Sequence, residues 1–185
     1  MSATIQPELG IIAGIIPIID LFRQDSIFHQ MKNLMAVPPS TDQMDGALLP
    51  KITGNMRSVL GNSGNVVNVS SWVGFRPNHN AAFYCISKAG LDMFTKCLAL
   101  ELAPKGVRVN SVNPAAVETD LWYKFGRPTE DVKNMLSEFA SKYPLGRIGQ
   151  PNDVADAILF LASDSASFIT GNLMKLDGGA HYTYM

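Results

Sequence analysis

The chain has 185 residues, is 46% hydrophobic and 17% charged, and carries a formal net charge of −1. That balance describes one ordinary globular domain, long enough to bury a real core. It argues against a nucleic-acid surface, because the charge is near zero and no basic run offsets it.

In chain order, the first feature is the apolar run from Leu9 to Phe22. A membrane-spanning helix needs about 20 apolar residues, and Pro17 interrupts this shorter run. Residues 1–8 contain no Lys or Arg, so the positive leader of a secretory signal is missing too. The run reads as a buried core segment, and the protein as cytoplasmic without a membrane span. A polar, Met-rich stretch follows to Met35, and Val37 to Asp42 reads as loop.

From Gly46 the pattern settles. Ala47 to Leu60 suggests the end of a helix, weakened by Pro50 and Gly54, and Gly61 to Asn65 is a turn. Val66 to Val69 is a short buried strand, and Trp72 to Asn80 is loop. Ala82 to Leu102 is a long helix that stops near Pro104-Lys105-Gly106, where proline and glycine oppose continuation. Val107 to Val112 is a weakly alternating strand, as expected where both faces are covered. Thr129 to Ala140 and Asn152 to Leu161 have helical period, with Asn152 as N-cap and Pro151 just outside. Leu173 to Leu176 is a last strand. Strands alternating with helices predict an α/β fold with a parallel sheet and crossover helices. No repeat, low-complexity tract or linker interrupts it.

Cys85 and Cys97 fall in one predicted helix, roughly 18 Å apart along its axis. A disulfide needs Cα atoms within about 7 Å, so the pair reads as two buried, reduced thiols. His79 and His181 have no second ligand at metal spacing, and no metal is assigned.

Three residues carry a specific chemistry. Ser71 ends the apolar run Val66-Val67-Asn68-Val69-Ser70, which places its hydroxyl at the carboxyl end of a strand. In open α/β sheets ligands bind at that end. Tyr84 and Lys88 are four residues apart and share one face of the long helix. An ammonium beside a phenol favours the phenolate and suits the phenol to proton transfer.

At these residues the chain resembles the short-chain dehydrogenase/reductase family, whose pattern is a serine followed thirteen residues later by Tyr-x-x-x-Lys. Later segments resemble the same family. They are Gly106 to Pro114, Pro144 to Pro151, Phe160 to Asp164, Phe168 to Gly171, and Leu176 to Gly179. The resemblance runs from about Ala47 to Ala180. It divides the chain into an atypical leader, 1–46, and the carboxyl-terminal catalytic part of such a domain, 47–185. It implies a Rossmann-like parallel sheet with flanking helices, and an NAD(P)-dependent interconversion of alcohol and carbonyl by hydride transfer. Tyr84 would exchange the proton with the substrate oxygen and Ser71 would hydrogen-bond that oxygen. Lys88 would lower the tyrosine pKa and hold the nicotinamide ribose. Pro114, Ala115, Val117 and Thr119 match the family's cofactor-facing turn, with Ala115 where the family usually has glycine. Trp122, Tyr123, Phe125, Met135 and Phe139 fall in its variable substrate loop, and read more readily as a helix burying its apolar side. The resemblance also implies a homo-oligomer, with Met93, Phe94, Leu98, Leu100 and Leu102 available to pack.

The family's amino-terminal half is not legible. Its glycine-rich turn, Thr-Gly-x-x-x-Gly-x-Gly, has only a partial counterpart at Gly10 to Ile16, where Leu9 replaces the threonine and Ile16 the last glycine. Its Asn-Asn-Ala-Gly strand is absent, and no asparagine stands near Met44 for its catalytic asparagine. Each βαβ unit takes roughly 30 residues. The 65 residues before Val66 cannot hold four strands and four helices. The expectation is a truncated doubly wound fold whose missing strands leave an edge that the apolar leader covers. Two functional readings stay open: a dehydrogenase using NAD or NADP, or an inactive family member that cannot bind dinucleotide and keeps only oligomerisation surfaces.

Overall fold

A computed structural model describes Ile11–Ile12 and residues 64–183. Ile11–Ile12 is β1, Asn65–Val69 is β2, Ala82–Leu102 is α1 and Arg108–Pro114 is β3. Helices α2 (Thr129–Lys142) and α3 (Pro151–Ala162) follow, and Leu173–Leu176 is β4. The sheet order is β1-β2-β3-β4 and every pairing is parallel. Such a sheet needs crossover connections. Helix α1 makes the one between β2 and β3, and α2 and α3 lie in the one between β3 and β4. The predicted helix end at 47–60, the leader 1–46 and the partial glycine motif lie outside the described residues, apart from the two strand residues Ile11–Ile12.

Side-chain alternation along the strands explains the layers. Val66 and Val109 join Leu98, Ala99 and Leu102 of α1 and Val107 in one core cluster. Val67 and Val112 point the other way, onto Leu161, with Val154, Ala157 and Ile158 of α3 packed around them. Helices thus cover both faces of β2 and β3, as in a doubly wound sheet, and the expected α/β class holds. A third cluster, including Ala116, Val132, Leu136, Tyr143, Ile148 and Ala180, lies beyond the carboxyl end of β3 under α2.

Three local expectations are corrected. The cap of α3 is Gln150, and Pro151 is the first helical residue, not a residue outside the helix. Proline has no N–H to lose at that position and its fixed φ suits it. Asp153 closes the end by accepting the Gln150 N–H at 2.6 Å. The cysteines are both free, but Cys97 is exposed and Cys85 only half-buried. The buried face of α1 runs through Lys88, Asp92, Thr95, Leu98, Ala99 and Leu102, and Cys97 is turned away from it. Within the predicted loop, Trp72–Gly74 is a single 3-10 turn, capped by Ser71.

Candidate active site

β2 ends at Val69, Ser70 still donates its N–H to the Val112 carbonyl at 2.9 Å, and the chain turns at Trp72–Gly74. Ser71 is buried, with extended backbone. Its hydroxyl oxygen accepts the Val73 N–H and donates to the Pro114 carbonyl, each at 3.4 Å. It therefore links the carboxyl ends of β2 and β3.

Helix α1 brings Tyr84 and Lys88 to the same end. Lys88 is only 4% exposed, and its Nζ donates to the Val69 carbonyl at 3.0 Å. The ammonium lies 5.7 Å from the centre of the Tyr84 ring. Ser70 ties the elements together, donating its hydroxyl to the Lys88 carbonyl at 3.3 Å. Burial pushes the Lys88 pKa below that of a free lysine, and the Asp92 carboxylate one turn along opposes the shift. Ser71, Tyr84, Lys88 and Pro114 thus gather where β2 and β3 end.

The remaining predicted residues continue outward from that point. Ala115 is half-buried and donates its N–H to Leu176 at 3.1 Å. Val117 bridges to Gly149, and its carbonyl accepts the Trp122 indole N–H at 2.7 Å. Thr119 is exposed at the start of a 3-10 turn over Asp120–Phe125, and its side chain caps nothing. Trp122, Met135 and Phe139 pack against the third cluster, so those three are core, while Tyr123 is exposed. His181 pairs through Nδ1 with buried Asp177 at 2.6 Å. Among the described residues no group of His, Cys, Asp or Glu is arranged to hold a metal.

A groove of about 300 Å³ lies between α2 and the loop before α3, lined by Glu118, Tyr123, Leu136, Arg147 and Gln150 among others. Neither Ser71, Tyr84 nor Lys88 lines it. Its charged groups are already engaged: Arg147 forks onto Asp153 at 2.6 and 2.9 Å, and Gln150 donates to Glu118 at 2.8 Å. The strand-end cluster, by contrast, brings together a serine hydroxyl, a phenol and an ammonium.

Sequence reasoning passed over four supporting residues. Asn113 donates from Nδ2 to the Ser71 carbonyl at 3.2 Å and to Asp92 Oδ1 at 2.8 Å. Gly74 lies against the Asp92 carboxylate, where a Cβ would overlap it. Tyr143 accepts the Ala116 N–H at 3.1 Å, and burial raises the pKa of its phenol. Asp92 carried a readable signal: it extends the Tyr84–Lys88 spacing by one more turn.

Residues 49–181 match a family model described as enoyl-(acyl carrier protein) reductase. This chain belongs to the short-chain dehydrogenase/reductase family. Among curated proteins, the L-xylulose reductase of Caenorhabditis elegans is 43% identical over 116 residues, which are 63% of this chain and 45% of that protein. A 3-oxoacyl-[acyl-carrier-protein] reductase of Aquifex aeolicus is 46% identical over 116 residues, 63% of this chain and 44% of the relative. The family fold is equally clear in solved structures. A short-chain dehydrogenase/reductase of unknown function from Caenorhabditis elegans, solved with cofactor, superposes with a TM-score of 0.67. It is 36% identical, over 74% of this chain and 52% of that one. The ligand-free aldohexose dehydrogenase of Thermoplasma acidophilum gives a TM-score of 0.62 at 33% identity, over 70% of this chain and 55% of that one. The chain spans about half the length of the curated relatives it matches. No helix among the described residues is long and apolar enough to cross a membrane.

Proposed function

We propose that this chain carries the proton-transfer half of an NAD(P)-dependent alcohol/carbonyl oxidoreductase site, with Ser71, Tyr84 and Lys88 as its working residues. The observation that carries the reading is the meeting of a buried ammonium, a phenol and a strand-end hydroxyl beside Pro114. The nicotinamide, when bound, supplies or accepts the hydride. Tyr84 gives or takes the proton at the substrate oxygen. Ser71 donates to that oxygen, exchanging its bond to the Pro114 carbonyl for one to the substrate. Lys88, held by the Val69 carbonyl, keeps positive charge beside the phenol and has two further N–H donors for ribose hydroxyls. These donors suit the nicotinamide ribose. Pro114, Ala115, Val117 and Thr119 form the wall along which the rest of that half would lie. The relatives' printed activities favour a carbonyl compound or its alcohol as substrate.

The test is hydride transfer with NADH and NADPH over a panel of carbonyl compounds. Tyr84→Phe is expected to lose about 10²–10⁴-fold in kcat, the usual contribution of a general acid. Activity that survives the substitution refutes the assignment.

A second reading rests on the partial glycine-rich turn, where Leu9 and Ile16 stand in place of the threonine and last glycine: an inactive member that does not bind dinucleotide. Calorimetry with NAD and NADP separates the two, since heat of binding at millimolar affinity or better removes the second. Under either reading a homo-oligomer is favoured, through a set that keeps Met93 and Leu100 of those predicted. Leu98 and Leu102 are buried and Phe94 packs on the same core. Met93 and Leu100 join Phe83 and Ile86 in an exposed apolar stripe on α1, at spacings of three, seven and seven residues. A monomer in sedimentation experiments would remove that reading.

A further inference from the structure

We propose that Asp92 is a positioning residue for the site, fixing the Ser71 turn through Asn113 and Gly74 and holding its negative charge one helical turn from Lys88. The inference rests on the reading of Ser71, Tyr84 and Lys88 given above.

Asp92 is 4% exposed. A carboxylate that deep is costly unless something specific holds it. Asn113 does so on one oxygen, donating to Oδ1 at 2.8 Å. The same Asn113 amide nitrogen donates to the Ser71 carbonyl at 3.2 Å, so one NH₂ joins α1 to the second residue after β2. Ser111 donates to Asn113 Oδ1 at 3.0 Å and fixes the amide's orientation. All three Asn113 contacts are buried. A small displacement of Asp92 therefore moves the Ser71 backbone directly.

The second oxygen behaves differently. Oδ2 has no hydrogen-bond partner and lies against Gly74, in the turn that Ser71 caps. A buried carboxylate kept for packing alone is normally satisfied at both oxygens. Here the charge is left undamped on the side of α1 that carries Lys88 and Tyr84. Tyr84, Lys88, Asp92 and the half-buried thiol Cys85 are the ionisable groups of α1 on this face. β2 presents the Val69 carbonyl to Lys88, and the Trp72–Gly74 turn brings no ionisable group. The turn packs tightly on the carboxylate, because a Cβ at Gly74 would overlap Oδ2 and push it aside.

The test reads two NMR signals from the whole chain: the Lys88 side-chain resonance against pH, and the Ser71 backbone amide. Asp92→Asn keeps the size of the side chain and removes the charge. Lys88 is then expected to titrate about one pH unit or more lower, because a negative neighbour favours the ammonium. The Ser71 amide is expected to shift in Asp92→Asn and in Asn113→Ala, each of which alters the link to its carbonyl. An unmoved Lys88 midpoint, or an unmoved Ser71 amide, overturns the proposal. Should Asp92→Asn fail to fold, Asp92→Glu is read instead. It keeps the charge and lengthens the arm, so it is expected to move the Ser71 amide, and an unmoved amide overturns the proposal there as well. Neither signal requires turnover. A wild-type chain inactive on every carbonyl sinks the reductase reading while these shifts still decide the role of Asp92. Where the wild type is active, the alkaline limb of its kcat profile moves with the Lys88 midpoint in Asp92→Asn.

Discussion

The two halves of α1 bury one continuous face against one sheet, with opposite chemistry. The carboxyl-terminal half presents Leu98, Ala99 and Leu102 to Val66 and Val109, near the amino ends of β2 and β3. The amino-terminal half presents Lys88 and Asp92, and Thr95 follows at the middle. Their partners lie toward the carboxyl ends of the same strands: Asn68 donates to Thr95 at 2.9 Å, Asn113 to Asp92 at 2.8 Å, and Lys88 to Val69 at 3.0 Å. Strand residues facing α1 change in step, from valines to Asn68, Ser111 and Asn113. Hydrophobic burial holds one end, and paired polar groups hold the other. The difference teaches how one helix carries both chemistries: the apolar end anchors it, and that leaves buried charge tolerable at the other end.

The comparison breaks most severely at the apolar end. Leu98→Ala removes a side chain that is 1% exposed, and is expected to cost about 2–5 kcal/mol, read as a lower urea midpoint. The Lys88 titration should hold its wild-type midpoint in that variant. A displaced midpoint would show that the two halves are not separable. Gly74→Ala strikes the polar end. Its Cβ must displace the Asp92 carboxylate, at an expected cost of about 1–3 kcal/mol, again by urea midpoint. A neutral result would mean that the carboxylate has room to move.

A smaller effect distinguishes the ends by pH. The folded-state pKa of Lys88 is lowered from 10.5, mainly by burial. On raising pH, the folded chain therefore loses this proton before the unfolded chain does. Between the two pKa values the unfolded state binds more protons, so stability rises with pH. Above 10.5 the gain is complete. Lys88→Met abolishes this alkaline rise. The measurement is the difference in urea midpoint between wild type and Lys88→Met across that range. Tyr143, whose raised pKa gives the opposite slope, cancels in the difference. A difference that does not change with pH would place Lys88 in an environment no less polar than water.

Much of the body could be read before the structure. The limits of α1 and β4 match the predicted Ala82 to Leu102 and Leu173 to Leu176 because their signals are local: helical period, a proline-glycine stop, and a short apolar run. β3 runs from Arg108 to Pro114, two residues beyond its predicted end, because Asn113 is polar and Pro114 lacks an N–H, which sequence rules treat as stops. The grouping of Ser71, Tyr84 and Lys88 was legible since one helical turn joins Tyr84 to Lys88 and Ser71 follows a strand end, where it is buried. What supports the trio was not. Asp92 and Asn113 are polar, and polar residues are ordinarily taken as solvated. Only the crossing of α1 over β3 shows that they hydrogen-bond each other in the interior. Leu98 and Leu102 failed in the reverse sense. Apolar residues on a helix announce burial, but not whether the cover is the same chain or another.

The pairings themselves impose an order on how the molecule assembles. Asn65 of β2 aligns with Arg108 of β3, 43 residues later, and Ser111 of β3 with Leu173 of β4, 62 residues later. Neither ladder can begin until a long loop has closed, which makes sheet formation slow compared with helix formation. Helix α1 depends only on near neighbours, so it can nucleate while the strands are still apart. In that interval its lysine and aspartate are fully hydrated, and the cost of drying them falls on the last steps of assembly, when the strand ends dock.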